Sequence, residues 1–481
     1  MHGNQLVEIL KTFTKKEFKR FDEFVKSPFF NKHQDTLKFW QILRKYAPEF
    51  SHKNLEKERL FTRLYGKQPF NAQWLYDLSS YLTRLAEQFL AVEHFRLHEF
   101  GYEQHKLAAF AEKRLDTQWD KQYARLAGQT NKHKNKAADF WLEKYYLAKL
   151  NCYHHDDYAH RKGFKKFDTT AHQQAFADLT SLYVIDALAN QSYLLSHHLS
   201  GGLPFNPAFL QTQTAPLFAF MQPADAFAAR TFHQSLLLAL NGTDEQFSEL
   251  IQAVEQPGFA AVPTRMQRSI LTNMGNYCHK NLQHNEALYR GYLQVVYNHF
   301  IELGLLLVNG YFLATPFVNI VHNALQLGSY EWALHFMETH AAQLNPAIRQ
   351  SLVCFCYAHY YFELQNFEDA LVQLHQSNVF WSQNKASHKN LLVRIYYERG
   401  ETDALLSQID ALKHYLKEAG QISAWQIADN REFTNFVLQL LRFKYGGKSR
   451  KLLPVLITKI EQSNSIHKKW LLQKASELSS G

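Results

Sequence analysis

The densest group of residues that could carry chemistry is the segment HHDDYAH at positions 154–160. Imidazole and carboxylate side chains bind catalytic zinc, which needs three protein ligands in fixed geometry and one open position. Asp156 and His160 are four residues apart and would share a helix face, but side chains adjacent in sequence diverge on a helix. The chain holds 25 histidines and contains no HExxH motif. We therefore interpret the group as chance clustering, and a metal-dependent enzyme is the least favoured of three functions.

Two further patterns resemble catalytic motifs. The GGKS at 446–449 would need a glycine five residues before its Gly-Lys-Ser to form a phosphate-binding loop, and that position holds Arg442. The loop would also need a preceding strand, whereas residues 436–443 have a helical pattern. Cys278 and His279 are neighbours on a predicted helix and would not face each other, as a nucleophile and its base must. We predict no catalytic residue, no cofactor and no metal ligand.

Basic residues cluster in both flanks of the chain. The net charge of +9 divides into +8 for residues 1–200, −6 for residues 201–440 and +7 for residues 441–481. The candidate surface for an anionic partner comprises Lys162, Lys165, Lys166, Lys448, Arg450 and Lys451. Nucleic-acid binding would couple such charges to stacking aromatics, but no helix-turn-helix, finger or RNA-recognition signature accompanies them. Solvated surface is the favoured interpretation, and nucleic-acid binding is the alternative function.

The elements that position these residues are predicted to be helices. The chain is 46% hydrophobic and 15% aromatic, which is enough to build a large core. No proline occurs between Pro69 and Pro204, so this stretch suits long helices better than tight hairpins. Thr14 and Glu17 form a capping-box pattern ahead of an apolar run with helical spacing. We therefore predict an all-α fold.

The cysteines and the N-terminus indicate a reducing compartment. The four cysteines are Cys152, Cys278, Cys354 and Cys356, and they form no CxxC pair. A disulfide framework is not expected from this spacing. The chain starts MHGNQLVEIL, which lacks the basic and apolar regions of a secretory signal. We expect a cytoplasmic protein.

The most apolar window runs over residues 303–321. Glycine, asparagine and proline interrupt it at Gly304, Asn309, Gly310, Pro316 and Asn319. A membrane span normally needs about 20 uninterrupted apolar residues. We predict two packed helical segments joined at a turn, and no membrane span.

A repeated helix pair is visible in the second half of the chain. Around residues 351–378, a small residue precedes an aromatic by three positions, and after a polar break an aromatic precedes an alanine by three. The residues predicted to pack these pairs are Tyr330, Ala333, Ala358, Tyr361, Phe367 and Ala370. The offset between two copies is 37 residues, from Ala333 to Ala370, and a weaker third copy follows near Gly400. A period in the thirties with two helices per unit is typical of a solenoid.

This segment resembles the tetratricopeptide repeat over residues 265–420. Ala358 and Tyr361 match the small residue and tyrosine of that family's first helix, and Ala370 after Phe367 matches its second helix. The chain departs from the pattern at Cys354, where the family has tryptophan, and it lacks the closing proline. The resemblance implies stacked antiparallel hairpins forming an α-solenoid, with a divergent helical N-terminal half. The chain is also similar to long all-helical bacterial proteins, which implies a fold and no chemistry.

These patterns predict four regions and a mode of action. The regions are an N-terminal helical unit at 1–110, a long-helix region at 111–225 with a Pro/Gly-rich joint at 201–225, tetratricopeptide-like repeats at 226–440, and a basic helical tail at 441–481. A curved stack leaves a concave groove that holds a peptide or a partner helix. The leading function is therefore a non-catalytic scaffold or adaptor with a protein or peptide partner. Asn319, Asn323 and His359 are the predicted groove positions.

Overall fold

The protein is all-α, as predicted. A computed structural model describes residues 5–97, 99–131, 138–163, 169–201, 203–377, 385–418, 424–446, 450–463 and 465–480. Within these ranges the regular structure is helical except for one two-stranded hairpin. The chain divides into two compact units, Met1–Asp186 with Phe220–Gln222, and Ala187–Ala219 with Pro223–Gly481. The four regions expected from the sequence stay a prediction.

The first unit is built from helices around an aromatic core. They are α1 (Gln5–Lys11), α2 (Lys15–Lys26), α3 (Gln34–Leu43), α4 (Lys57–Tyr65), α5 (Ala72–Leu97), α6 (Glu99–Glu112), α7 (Asp116–Asn131), α8 (Ala138–Lys162) and the first half of α9 (Thr170–Gly201), with 3₁₀ turns at Arg44–Tyr46 and Lys53–Leu55. The predicted capping box starts α2, because Glu17 N donates to Thr14 Oγ1 over 3.2 Å and Thr14 N donates to Glu17 Oε2 over 2.8 Å. Phe21 lies 4.8 Å from Trp40 between ring centroids, and both are fully buried.

The second unit holds the rest of α9 and thirteen further named helices. They are α10 (Pro223–Asn241), α11 (Asp244–Glu255), α12 (Thr264–Asn281), α13 (Glu286–Glu302), α14 (Ala314–Gln326), α15 (Tyr330–His340), α16 (Pro346–Glu363), α17 (Phe367–Gln376), α18 (Lys385–Arg399), α19 (Thr402–Glu418), α20 (Ala424–Lys444), α21 (Leu453–Gln462) and α22 (Lys468–Ser480). A π-helical turn, Phe209–Gln213, and 3₁₀ turns at Ala215–Phe220, Pro257–Ala261, Ala341–Gln343 and Arg450–Leu452 complete the helical segments.

Helices of the second unit pack as consecutive pairs. α14 packs on α15, α16 on α17, and α18 on α19. The first helices of these pairs also contact one another, α14 with α16 and α16 with α18. One continuous core extends from Phe355 through Leu391 and Phe433 to Leu471.

Three successive helix pairs turn in the same way. The first helix of each pair ends at a residue with positive φ, which is Gly328 at 73°, Gln365 at 60° and Gly400 at 73°. The amide after each of these residues donates to the carbonyl five positions earlier, over 2.9, 2.9 and 3.0 Å. This is the hydrogen bond of a Schellman-type helix end. The three turn residues are spaced by 37 and 35 positions, so equivalent residues can be assigned along α14, α16 and α18.

The prediction for residues 303–321 was wrong in one respect. Instead of two helices joined at a turn, a β-hairpin lies between α13 and α14, formed by β1 (Leu307–Val308) and β2 (Tyr311–Phe312). Asn309 and Gly310 connect the strands with φ of 52° and 81°, as a two-residue hairpin turn requires. Across the described ranges, no helix combines the length and the apolar character that crossing a bilayer would demand.

Candidate functional site

A cavity of about 1060 Å³ lies in the second unit. The start of α13, the last turns of α14, α16 and α18, and the helix α22 line it. Its charged lining residues are Glu286, Arg290, Glu363, Arg394, Glu398, Lys468, Lys469, Lys474 and Glu477. Charges of both signs therefore surround the space, which favours an occupant with polar groups of its own.

Two rows of polar residues cross the wall of the cavity. The residues two positions before the three turns are Gln326, Glu363 and Glu398, and we call them the acidic row. The residues six positions before the turns are His322, His359 and Arg394, and we call them the histidine–arginine row. All members except His359 line the cavity. The wall is thus built from equivalent positions of successive helix pairs.

The acidic row is held by hydrogen bonds between helices. Gln326 Nε2 donates to Glu363 Oε1 over 3.1 Å, which links α14 to α16. Glu398 accepts from Trp470 Nε1 over 2.6 Å and from Lys474 Nζ over 2.9 Å, which links α18 to α22. Lys474 is 7% exposed. A buried ammonium group of this kind needs its acceptors, so Glu398 anchors α22 at the cavity.

The histidines of the site are uncharged at neutral pH. The rings of His322 and His359 lie 5.7 Å apart between centroids. Burial lowers the pKa of His322 to about 4, with smaller contributions from nearby arginine charges. Burial likewise holds the pKa of His359 and of His467 well below its usual value, and the charge of Arg394 acts in the same direction. Arg394 is therefore the one charged member of the histidine–arginine row at pH 7.

Arg394 is the central cation of the site and is 4% exposed. Its guanidinium carbon lies 4.0 Å from the ring centroid of Phe362 and 5.8 Å from that of Trp470. Its Nη2 is 3.5 Å from Glu363 Oε1, and its Nη1 is 3.5 Å from His467 Nδ1. Within the described part of the chain, its buried Nε has no hydrogen-bond partner. Burial lowers the pKa of Arg394, and the charge of Glu363 opposes that effect.

The predicted groove residues do not line this cavity. Asn319 is exposed, and His359 is buried behind His322 at 6% exposure. Asn323 is 2% exposed and donates through Nδ2 to the carbonyl of Arg290 over 3.1 Å, so it ties α14 to α13. Asn319 and Asn323 lie four positions apart on α14, and His359 lies on α16. Their role as partner contacts stays a prediction.

The predicted packing residues are buried or partly buried, and their role in packing the helix pairs stays a prediction. Ala333, Ala358 and Ala370 are fully buried. Tyr361 and Phe367 are partly buried and pack against the core of the second unit. Tyr330 is also half-buried and, with Phe367, lines the cavity.

The predicted anionic-partner surface is described only in part. Lys162 ends α8 and is exposed, and Lys451 is exposed in a 3₁₀ turn that Arg450 begins. Lys165, Lys166 and Lys448 lie outside the described residues.

The histidine-rich segment at 154–160 disperses its side chains. Asp156 contacts His172 over 3.2 Å, and Asp157 pairs with Arg161 over 2.7 Å. His154 stacks on Trp119 at 3.8 Å between centroids, and its Nε2 lies 3.4 Å from Asp116 Oδ1. No group of three metal-ligating side chains occurs in the described ranges.

The two rows were missed in the sequence, although a signal for them exists. Aligning the turn residues at offsets of 37 and 35 places His322, His359 and Arg394 at one position, and it places Gln326, Glu363 and Glu398 at another. The contribution of α22 has no such signal, because Trp470 and Lys474 lie outside the repeated segment.

The comparisons with known proteins returned nothing: no family model matches the chain, and no curated protein or solved structure matches it significantly. The geometry of the cavity therefore carries what we propose about function.

Proposed function

We propose that the chain is a non-catalytic scaffold or adaptor that holds a segment of a partner protein in the groove of a tetratricopeptide-like α-solenoid. The three matching turns at Gly328, Gln365 and Gly400 support this, because each marks a helix pair that packs on the next. Repeat arrays of this kind stack units that contact only their neighbours and expose an extended binding surface. The four cysteines are free and buried, which supports a reducing compartment such as the cytoplasm.

The observation that carries the proposal is the pair of polar rows at the cavity. A chain crossing the cavity would meet both polar positions on α14 and on α18, and Glu363 alone on α16, because His359 does not line the cavity. Burying such groups favours a partner whose polar groups complement them, since unpaired polar groups cost affinity. The volume of about 1060 Å³ matches the upper end of ordinary ligand pockets, which is enough for a few side chains of a peptide.

The experiment blocks the cavity at Gln473, which donates to Glu477 over 3.0 Å but carries no charge of its own. Gln473 is exposed on α22 and lines the cavity, so Gln473→Trp should fill part of the space. Gln462 is exposed on α21 outside the cavity, and Gln462→Trp is the matched control. Each variant is used as bait in affinity purification at two salt concentrations with nuclease treatment.

The proposal predicts a protein retained by the wild type and by Gln462→Trp, and lost with Gln473→Trp. Direct binding of that protein, purified, to the wild type would then be measured by calorimetry. Equal retention by both variants would show that the partner binds elsewhere, and retention abolished by nuclease would favour nucleic acid.

A second candidate function is nucleic-acid binding, and one observation on α8 favours it. Lys149 Nζ lies 5.8 Å from the ring centroids of both Tyr145 and Tyr153, and Tyr153 is 62% exposed. Exposed aromatics beside cations suit single-stranded nucleic acid. Binding of a single-stranded oligonucleotide should then weaken steeply as salt rises, and Tyr153→Ala should weaken it further. An oligonucleotide that fails to bind even at low salt would exclude this function.

A further inference from the structure

Arg394 has hydrogen-bonding capacity that the protein leaves unused. A guanidinium group carries five N–H donors. Its two polar contacts, to Glu363 and His467, are both 3.5 Å long, whereas good charge-assisted bonds measure about 2.7–2.9 Å. In the described ranges Nε has no partner at all, although the side chain is buried. A buried charge needs paired and hydrogen-bonded surroundings. Within these ranges the Nε of Arg394 lacks an acceptor, and the two contacts of its other nitrogens are long.

The neighbouring carboxylates are engaged elsewhere. Glu363 accepts a shorter bond from Gln326 than from Arg394, 3.1 Å against 3.5 Å. Glu398 accepts from Trp470 and Lys474 at 2.6 and 2.9 Å. Glu363 shares its Oε1 between Gln326 and Arg394, and Glu398 cannot turn toward Arg394 without leaving the buried donors of Trp470 and Lys474 unpaired.

The surroundings of Arg394 fit an oxyanion that approaches the edge of the guanidinium group. The guanidinium lies over the ring of Phe362, so one of its faces is covered and its N–H groups remain at the edges. Lys468 and Lys469 add two cations to the lining of the same cavity. Burial lowers the pKa of His322 and His467, so these imidazoles are neutral at pH 7. They therefore do not compete with Arg394 for an anion.

We propose that Arg394 anchors an oxyanion-binding subsite in the cavity, and that the occupant brings a carboxylate or a phosphate group to it. Both groups match the guanidinium edge with two parallel hydrogen bonds. The inference rests on the proposed function in one point, which is that the carboxylate or phosphate belongs to a side chain of a partner polypeptide. The subsite itself follows from the long contacts of the buried Arg394 guanidinium and from the cavity that its side chain lines.

The test uses three small compounds and the full chain. N-acetyl-glutamate amide carries a carboxylate, N-acetyl-phosphoserine amide carries a phosphate, and N-acetyl-glutamine amide is the neutral control. Binding is measured by calorimetry at constant ionic strength, for the wild type, Arg394→Lys and Arg268→Lys. Arg268 is a partly buried arginine outside the cavity, where its Nε donates to the carbonyl of Leu305 over 3.0 Å, so it is the matched control.

The expected result is saturable binding of at least one anionic compound, with the neutral compound roughly tenfold weaker or more. Arg394→Lys should weaken the anionic compound by roughly tenfold, because it loses the two-pronged geometry. Arg268→Lys should change nothing. If only one of the two anionic compounds binds, its group, carboxylate or phosphate, is the one that the subsite recognises. If both bind, competition between them shows that they share one subsite.

The inference fails if neither anionic compound binds, or if Arg394→Lys binds them as the wild type does. Should Arg394→Lys not fold, Glu363→Gln gives an independent answer. It keeps an oxygen acceptor for Gln326 and removes the negative charge nearest Arg394, so anion binding should tighten roughly threefold or more. Unchanged or weaker binding by that variant contradicts the subsite. The affinity purification with Gln473→Trp does not depend on this result. The scaffold function and the oxyanion-binding subsite can therefore be refuted separately.

Discussion

Glu363 and Arg394 lie on successive helix pairs, and their side chains approach to 3.5 Å between Oε1 and Nη2. Glu363 is two residues before its turn and Arg394 is six residues before the next one. The contact therefore joins the acidic row of one pair to the histidine–arginine row of the following pair. It is a long contact for an ion pair, so the Arg394 guanidinium keeps hydrogen-bonding capacity that an occupant of the cavity could use.

Replacing Glu398 with alanine should loosen α22. The substitution removes the acceptor of both Trp470 Nε1 and Lys474 Nζ, and among the described residues Lys474 then keeps Glu477 as its acceptor. We expect a loss of about 1–3 kcal/mol in the free energy of unfolding, measured by urea denaturation. Glu398→Gln keeps one acceptor oxygen and should cost less. Equal stability of Glu398→Ala and the wild type would show that α22 is held by its apolar face alone.

Enlarging Ala370 should overpack the contact between α16 and α17. Ala370 is fully buried, and Ala370→Leu inserts three carbons where no space exists. The expected loss is about 1–3 kcal/mol in unfolding free energy. Val372 is half exposed on the same helix, and Val372→Leu is the control that should leave stability unchanged. An unshifted urea midpoint for Ala370→Leu would mean that the two helices do not meet at this residue.

Glycine at position 365 should stabilise the protein. Gln365 has a φ of 60°, which is a left-handed conformation. The two equivalent turn positions, Gly328 and Gly400, have glycine, which adopts this conformation without strain. We expect Gln365→Gly to raise the unfolding free energy by about 1 kcal/mol. The reverse change, Gly328→Gln, should lower it by a similar amount, since a Cβ at Gly328 meets no atom within 4 Å and only the backbone conformation matters. The prediction is wrong if Gln365→Gly lowers the melting temperature.

Stability should fall on acidification between about pH 6.5 and pH 4. His322, His359 and His467 have a folded-state pKa below the value of about 6.5 in the unfolded chain. In this window the unfolded state binds more protons than the folded state, so the free energy of unfolding decreases as pH decreases. Well above pH 6.5 the imidazoles are neutral in both states and contribute no slope.

Urea midpoints measured across this pH range test the histidine prediction. His322→Gln should reduce the slope, because one partly buried imidazole no longer titrates differently in the two states. His414 is largely exposed, and His414→Gln should leave the slope as it is. A wild-type slope that His322→Gln does not alter would place the pH dependence in other groups.

The sequence predicts local features of this fold well. The helical class, the capping box at Thr14 and Glu17, and the equivalence of Gly328, Gln365 and Gly400 depend on residues close together in the chain or on a regular period. The β-hairpin at Asn309 and Gly310 also had a local signal, an Asn-Gly pair between apolar residues. It was missed because the apolar run around it suggested helices.

The cavity could not be predicted in the same way. It depends on lateral neighbours, such as Gln326 beside Glu363, that lie a full helix pair apart in the sequence. It also depends on α22, whose Trp470 and Lys474 reach Glu398 from more than 70 positions away. Neither composition nor period determines which helix closes the end of a stack.

The most direct test of the account is hydrogen exchange measured on the full chain with and without the partner recovered by the wild-type bait. Binding in the cavity should slow amide exchange at the ends of α14, α16 and α18 and along α22, while α8 stays unchanged. Protection confined to α8, or to any surface away from the acidic and histidine–arginine rows, would contradict the proposal that this cavity holds the partner.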